Sequence, residues 1–294
     1  MFLIDKYHFF KRFKKPLENN FSIQESLASD REAYIEGFNL PFYNVKDVPI
    51  LIVNDSSAYI LIDGSNITID GNFSTLIIED VSNSDGTIKI INNQNSKIIF
   101  INNPQTGLCV EREILIDNHA SLELFLTVNK KDTFIKNNLL VNLLEGSSFN
   151  GEVFVNAGMA QTFDLTAEIV HKFVKTNSNI NFVGLNEGRV VSQINSIIEK
   201  EFVDCELRQH IKHILFNEDS ISYSKPSLMI SVPCVASHGN SIGSIPEDWL
   251  FYLQTKGIPP DACLEIIKKS LQKIFFDKMN ISFIEGILGY EHES

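Results

Sequence analysis

The residues able to bind metals or act as nucleophiles are few and scattered. Four cysteines occur, Cys109, Cys205, Cys234 and Cys263, with no Cys-x-x-Cys among them. That spacing fits neither a zinc ribbon nor a disulfide scaffold, and it points to a reducing, cytoplasmic setting. His210-x-x-His213 looks like a ligand pair. On a strand, however, residues three apart face opposite ways, so both are expected to be ordinary strand residues. The segment Cys234-Val235-Ala236-Ser237-His238-Gly239 is more pointed. A thiolate at Cys234 and an imidazole at His238 are donors that suit a soft metal or an iron–sulfur cluster. The plain alternative is a histidine ring capping a turn at Gly239.

Other chemistry is missing. There is no Gly-x-x-x-x-Gly-Lys-Ser/Thr loop and no Gly-x-Gly-x-x-Gly, so ATP hydrolysis is not expected. No Gly-x-Ser-x-Gly elbow is expected either, and so no serine nucleophile. Twenty-five Lys+Arg stand against 37 Asp+Glu, a formal charge of −12, which argues against general duplex binding. The 44% hydrophobic content over 294 residues is enough for one large core, and wholesale disorder is not expected. The 22 Phe against 7 Tyr and 1 Trp read as compositional bias. The N-terminus lacks the charged-then-apolar order of a signal peptide. No run approaches the roughly 18 apolar residues of a spanning helix.

Three regions would have to position these residues. Residues 1–46 read as an N-terminal helical segment: Phe9, Phe10 and Phe13 recur near helical spacing beside Lys11, Arg12, Lys14 and Lys15, and Ile23–Phe38 has an acidic exposed set. Residues 47–239 form a β-rich core of short apolar runs separated by Asn, Asp, Gly and Ser. Leu122, Leu124, Leu126 and Val128 alternate onto one face. No helical pattern interrupts the stretch, which excludes a doubly wound sheet and leaves a sandwich, a barrel or a solenoid. Asn-rich turns suit rung corners, where Asn tolerates left-handed angles. No strict repeat is visible.

Residues 240–294 read as a helical subdomain. Ser244-Ile245-Pro246-Glu247 resembles a capping box ahead of Trp249-Leu250-Phe251-Tyr252-Leu253, and Lys256-Gly257 supplies the stop. Pro259-Pro260-Asp261 opens a second helix with Ile266, Ile267, Leu271, Ile274 and Phe275 as its apolar stripe. A pair this apolar must pack on the β body or on a partner.

Three stretches carry a resemblance: Lys225-Pro226-Ser227-Leu228-Met229-Ile230, Ala236-Ser237-His238-Gly239-Asn240-Ser241-Ile242-Gly243 and Leu250-Phe251-Tyr252-Leu253-Gln254-Thr255-Lys256-Gly257-Ile258. Together they resemble the signature of the SufB/SufD family of iron–sulfur cluster assembly proteins, specifically over about residues 200–275. Upstream, His171, Ser178 and Gly184 fit the family's spacing more loosely.

The resemblance implies a mainly β fold, a right-handed parallel β-helix (solenoid) flanked by N-terminal and C-terminal helical segments. It implies a cytoplasmic scaffold rather than an enzyme, working with a SufB-like subunit and a SufC-like ABC ATPase, with no nucleic acid and no membrane. A homodimer in isolation is the alternative. Gly239 stands where the SufB-like branch has Glu, and Ile211 lies near the position of that branch's sulfur-accepting Cys; both point to the SufD-like branch. By the same resemblance His238 is an interface residue or cluster ligand, with Cys234 beside it as a second metal-ligand candidate. Any iron–sulfur cluster would be transient at the partner interface, with none held stably. Trp249, Phe251, Tyr252, Leu253, Ile266 and Phe275 would bind the ATPase. A different class, a carbohydrate-active or adhesive β-helix, would need a carboxylate groove, for which Asp63, Asp70, Glu79 and Asp80 are the available acids.

Overall fold

The computed structural model describes residues 40–279, apart from 47–48, 65, 83–84, 105–106, 129–132 and 199–201. The basic amphipathic segment with Phe9, Phe10 and Phe13 and the stretch Ile23–Phe38 lie outside the described residues. Two parallel sheets are wound from strands taken alternately along the chain. The first holds β1 (Phe42–Val45), β3 (Ser57–Ile62), β5 (Thr75–Asp80), β7 (Ser96–Asn102), β9 (Ser121–Val128), β11 (Ser148–Ala157), β13 (Asn177–Asn186), β15 (Glu206–Leu215) and β17 (Val235–Ser244), in that order. The second holds β2 (Ile50–Val53), β4 (Asn66–Gly71), β6 (Gly86–Asn92), β8 (Leu108–Ile116), β10 (Phe134–Leu143), β12 (Thr162–His171), β14 (Arg189–Ile198) and β16 (Ile221–Met229). Each strand pairs with the one two places on, so every coil adds one strand to each sheet: a parallel β-solenoid.

The coils widen along the chain, and this hides the repeat from the sequence. Phe42 pairs with Tyr59, an offset of 17. Thr75 pairs with Lys97, an offset of 22, and Ser121 with Ser148, an offset of 27. Glu206 pairs with Val235, an offset of 29. Strands lengthen in step, from four residues in β1 to ten in β11.

Inward side chains of both sheets, among them Ile60, Ile78, Phe100, Leu124, Val153, Phe182 and Ile211 facing Ile69, Ile90, Ile114, Leu139, Leu165 and Ile194, form one continuous core. Leu122, Leu124, Leu126 and Val128 face it together, as their alternation requires. A charged node interrupts it. Arg112, fully buried, meets Asp80 at 3.6 Å and Asn102 Oδ1 at 2.5 Å, bonds Asn137, and lies 4.6 Å from the Phe100 ring centroid.

The corners depart from expectation. Among the described residues, left-handed backbone occurs at His119, Lys175 and Asp204, and at Gly71, Gly146 and Gly257 among glycines, not at Asn. His119, Gly146, Lys175 and Asp204 stack as successive corners, linked by His119 N–H to Glu145 O and Gly146 N–H to Val174 O. At Gly146 a Cβ would lie 2.3 Å from His119 Nδ1, so glycine is required by space as well as by angle. Asparagine instead ties one coil to the next through its side chain. Asn179 donates to Asn150 at 2.9 Å, and Asn186 to Ile221 O at 2.8 Å.

Two helices follow the last strand: α1 (Glu247–Thr255) and α2 (Pro260–Met279). The capping box does not form. Pro246 occupies the N-cap position with no side-chain bond, because Ser244 is still paired to Leu215 in β17. Gly257, at φ 82°, ends α1 as its position predicts. Helix α2 lies against the outer face of the odd-numbered sheet, where Ile267, Phe275, Phe276 and Met279 join Ile99, Ile101, Phe125, Phe154, Leu185 and Ile214 in a second apolar layer. Lys268 bonds Glu187, and Lys278 reaches Glu152 at 2.9 Å.

Candidate functional site

The strands reach Ser244, and Gly239 lies inside β17, so the segment around His238 is extended rather than a turn. β17 ends the odd-numbered sheet and β16 the even-numbered one; together they form an open terminal coil. Nearly all of β17 is exposed on both faces, unlike β13 and β15 beneath it. Val235 N–H donates to Cys205 O. Odd-numbered amides of β17 therefore face β15, while those of Ala236, His238, Asn240, Ile242 and Ser244 face the free edge. Among the described residues no strand pairs with that edge, and an unpaired edge of ten residues is a template for pairing with another chain.

Register fixes where each candidate side chain sits. His238 pairs with Gln209, which is buried and faces inward, so His238 occupies the inward column at the mouth of the solenoid. Gln209 Nε2 donates to Ser196 Oγ at 2.7 Å and to Ser227 O at 3.0 Å, and its Oε1 has no protein partner. Cys234 shares the face of His238 but precedes it by four residues, roughly 13 Å of extended chain. The structure does not bring the two onto one ion, and among the described residues no group of three or more His, Cys, Asp or Glu converges as a metal site.

His210 is exposed and His213 buried, on opposite faces of β15 as their spacing requires. His213 Nε2 lies 2.8 Å from Ser192 Oγ, and its ring is 5.1 Å from that of Phe182. Burial pushes its pKa down to about 4. His171 is likewise lowered to about 4 by burial, with Nε2 2.9 Å from Ser178 Oγ and Nδ1 2.7 Å from Thr176 Oγ1. His171 and Ser178 thus meet in the interior. Gly184 is close-packed: a Cβ there would lie 3.1 Å from Phe182 and 3.2 Å from Val190.

Gly239-Asn240-Ser241-Ile242-Gly243 does spell Gly-x-Ser-x-Gly. It runs as straight strand, with Ser241 opposite the exposed Lys212, and lacks the strand-to-helix elbow that serine nucleophiles need. The acids that a carbohydrate groove would use are dispersed. Glu79 and Asp80 are buried, Asp80 against Arg112.

The six residues assigned to partner binding divide. Trp249, Phe251 and Tyr252 are 44%, 69% and 61% exposed on α1. Ile266 is also exposed, while Leu253 packs toward the outer apolar layer. Phe275 is interior: its ring stacks on Phe154 at 5.1 Å and meets Phe125 edge-on at 5.9 Å. The buried stripe of α2 runs through Cys263, Ile267, Leu271, Phe275 and Met279 rather than through Ile266 and Ile274. The sequence offers no signal for Gln209 and Thr176, whose importance lies in register with residues a full coil away, His238 and Cys205.

Two parallel sheets wound coil by coil define the chain as a parallel β-solenoid, with an aromatic-bearing helix exposed after its terminal coil. The SufBD core domain of the SUF iron–sulfur cluster assembly system matches residues 43–270, and the chain belongs to that family. The comparison with curated proteins finds no match to the chain. Among the described residues no helix is long and apolar enough to cross a membrane.

Proposed function

We propose that this chain is a SufD-like, non-catalytic subunit of an iron–sulfur assembly complex in the cytoplasm. Its terminal coil pairs with a SufB-like subunit, and its C-terminal helices engage a SufC-like ABC ATPase. The observation that carries this reading is the free β17 edge, with His238 in the inward column beside it. His238 alone does not make a metal site; with donors from a partner's edge it contributes one ligand to a cluster held as cargo at the junction.

The branch assignment is supported by two positions. Ile211 is fully buried in the core and has no sulfur to carry. At Gly239 a Cβ would fall 2.8 Å from Nδ1 of the exposed His210, which a larger residue would have to displace. The aromatic set Trp249, Phe251 and Tyr252 supports the ATPase contact, since enrichment in exposed aromatics marks interface cores.

Co-purification tests the assembly. The chain should be retained by both SufB-type and SufC-type partners at micromolar concentration, and failure to bind either overturns the reading. Homodimerisation is the second reading, because a C2 axis could pair two β17 edges.

A further inference from the structure

Continuing the β15–β17 register back by one residue sets Cys234 opposite Cys205, joined through the Val235 N–H to Cys205 O bond of 3.3 Å. Neighbouring strands lie about 4.8 Å apart, within the Cα separation that a disulfide spans. Both side chains belong to one apolar cluster with Ile198, Phe202, Leu207 and Leu228. They differ in access: Cys205 is 2% exposed, while Cys234 is half-buried and reachable. Thr176 Oγ1 lies 3.2 Å from Cys205 Sγ and 2.7 Å from His171 Nδ1.

We propose that Cys205 and Cys234 form a modification site at which a hydroperoxide makes an intrachain disulfide, stapling the terminal coil to the coil beneath it. In the first step the Cys234 thiolate attacks the peroxide: an S–O bond forms, the O–O bond breaks, and hydroxide leaves to be protonated to water. In the second, the Cys205 sulfur attacks the sulfenic acid: the S–S bond forms, the S–O bond breaks, and water leaves with the thiol proton. Two thiols lose two electrons and one hydroperoxide gains them. Burial and the neighbouring Cys205 raise the Cys234 thiol pKa, so the first step quickens as pH rises. The bond would tie β17 to β15 and remove the Cys234 sulfur from any metal. This inference rests on coil register and not on the assembly reading.

The full chain treated with hydrogen peroxide, alkylated without reduction and digested with trypsin tests it. Arg208 and Lys212 lie between the two cysteines, so the disulfide would join two separate peptides. The expected result is that linked pair, with Cys109 and Cys263 still alkylated, faster linkage at pH 8.5 than at pH 7, and a thermal midpoint raised by several degrees (roughly, for a loop of this size). Cys234→Ser, a mild change at a half-buried position, should keep the circular dichroism of the parent and lose the link. Four alkylatable thiols after peroxide, or a link between any other pair, would overturn the proposal.

Discussion

His238 stands directly over Gln209 in the inward column of the odd-numbered sheet, one coil beyond the last covered rung. Gln209 spends its amide nitrogen on Ser196 and Ser227, so the floor beneath the imidazole is polar and already organised. Replacing His238 with Ala removes a side chain on which the fold makes no demand. Cluster yield with SufB-type and SufC-type partners should fall about tenfold or more, as for loss of a ligand or its support, with ATPase binding unchanged. Anaerobic reconstitution followed by absorption spectra reads this out; an unchanged yield would show that His238 supplies no ligand to the cluster.

The helical residues should separate by burial. Trp249→Ala with Tyr252→Ala should weaken ATPase binding by about 2 kcal/mol or more, as truncated hot-spot aromatics do, while leaving the unfolding midpoint within a degree or two (roughly) of the parent. Phe275→Ala should do the reverse. It opens a cavity between Phe125 and Phe154 and should cost about 3–5 kcal/mol in urea unfolding.

Much of this was legible before any coordinates. The alternation in Leu122–Val128, the opposed faces of His210 and His213, and the Gly257 stop follow from local geometry alone. The division within α2 was not. Ile266 and Phe275 both lie on an apolar stripe, and only the sheet's position decides which of them it covers. The repeat was hidden because coil length grows from 17 to 29 residues. The pairing of Cys205 with Cys234 stayed invisible for the same reason, since it needs that register.

Acid should destabilise the chain through the buried histidines His171 and His213. Both have folded pKa values near 4, below the ordinary 6.5, so at pH 7 both states are neutral and the fold suffers no penalty. As pH falls from 6.5 toward 4 the unfolded chain takes up protons that the folded chain refuses, and stability is lost over that window. The loss is on the order of 3 kcal/mol per histidine by pH 4. Urea midpoints measured from pH 7 to pH 4.5 should show this slope, and His171→Gln with His213→Gln should flatten it. Equal slopes would show that other groups govern acid stability.

The buried node has its own pH signature. Arg112→Met leaves Asp80 in the core without its cation and should cost about 3–5 kcal/mol at pH 7. Burial already raises the Asp80 pKa and Arg112 offsets part of that, so the variant's carboxyl should hold its proton to still higher pH. The deficit should therefore shrink as pH falls toward 5, where a protonated Asp80 carries no charge. Denaturant titration at the two pH values checks it; a deficit that grows with acid would contradict the ion pair.

The central claim is that β17 is a pairing edge. Asn240→Pro removes an edge-facing amide without touching the β15 ladder, because Asn240 presents its N–H to the open side. Light scattering on size-exclusion chromatography, with the chain alone and mixed with a SufB-type subunit, measures the consequence. The account predicts a one-to-one complex for the parent and separate components for Asn240→Pro at the same micromolar concentration. A complex that survives the proline, or a parent chain that never pairs, would contradict it.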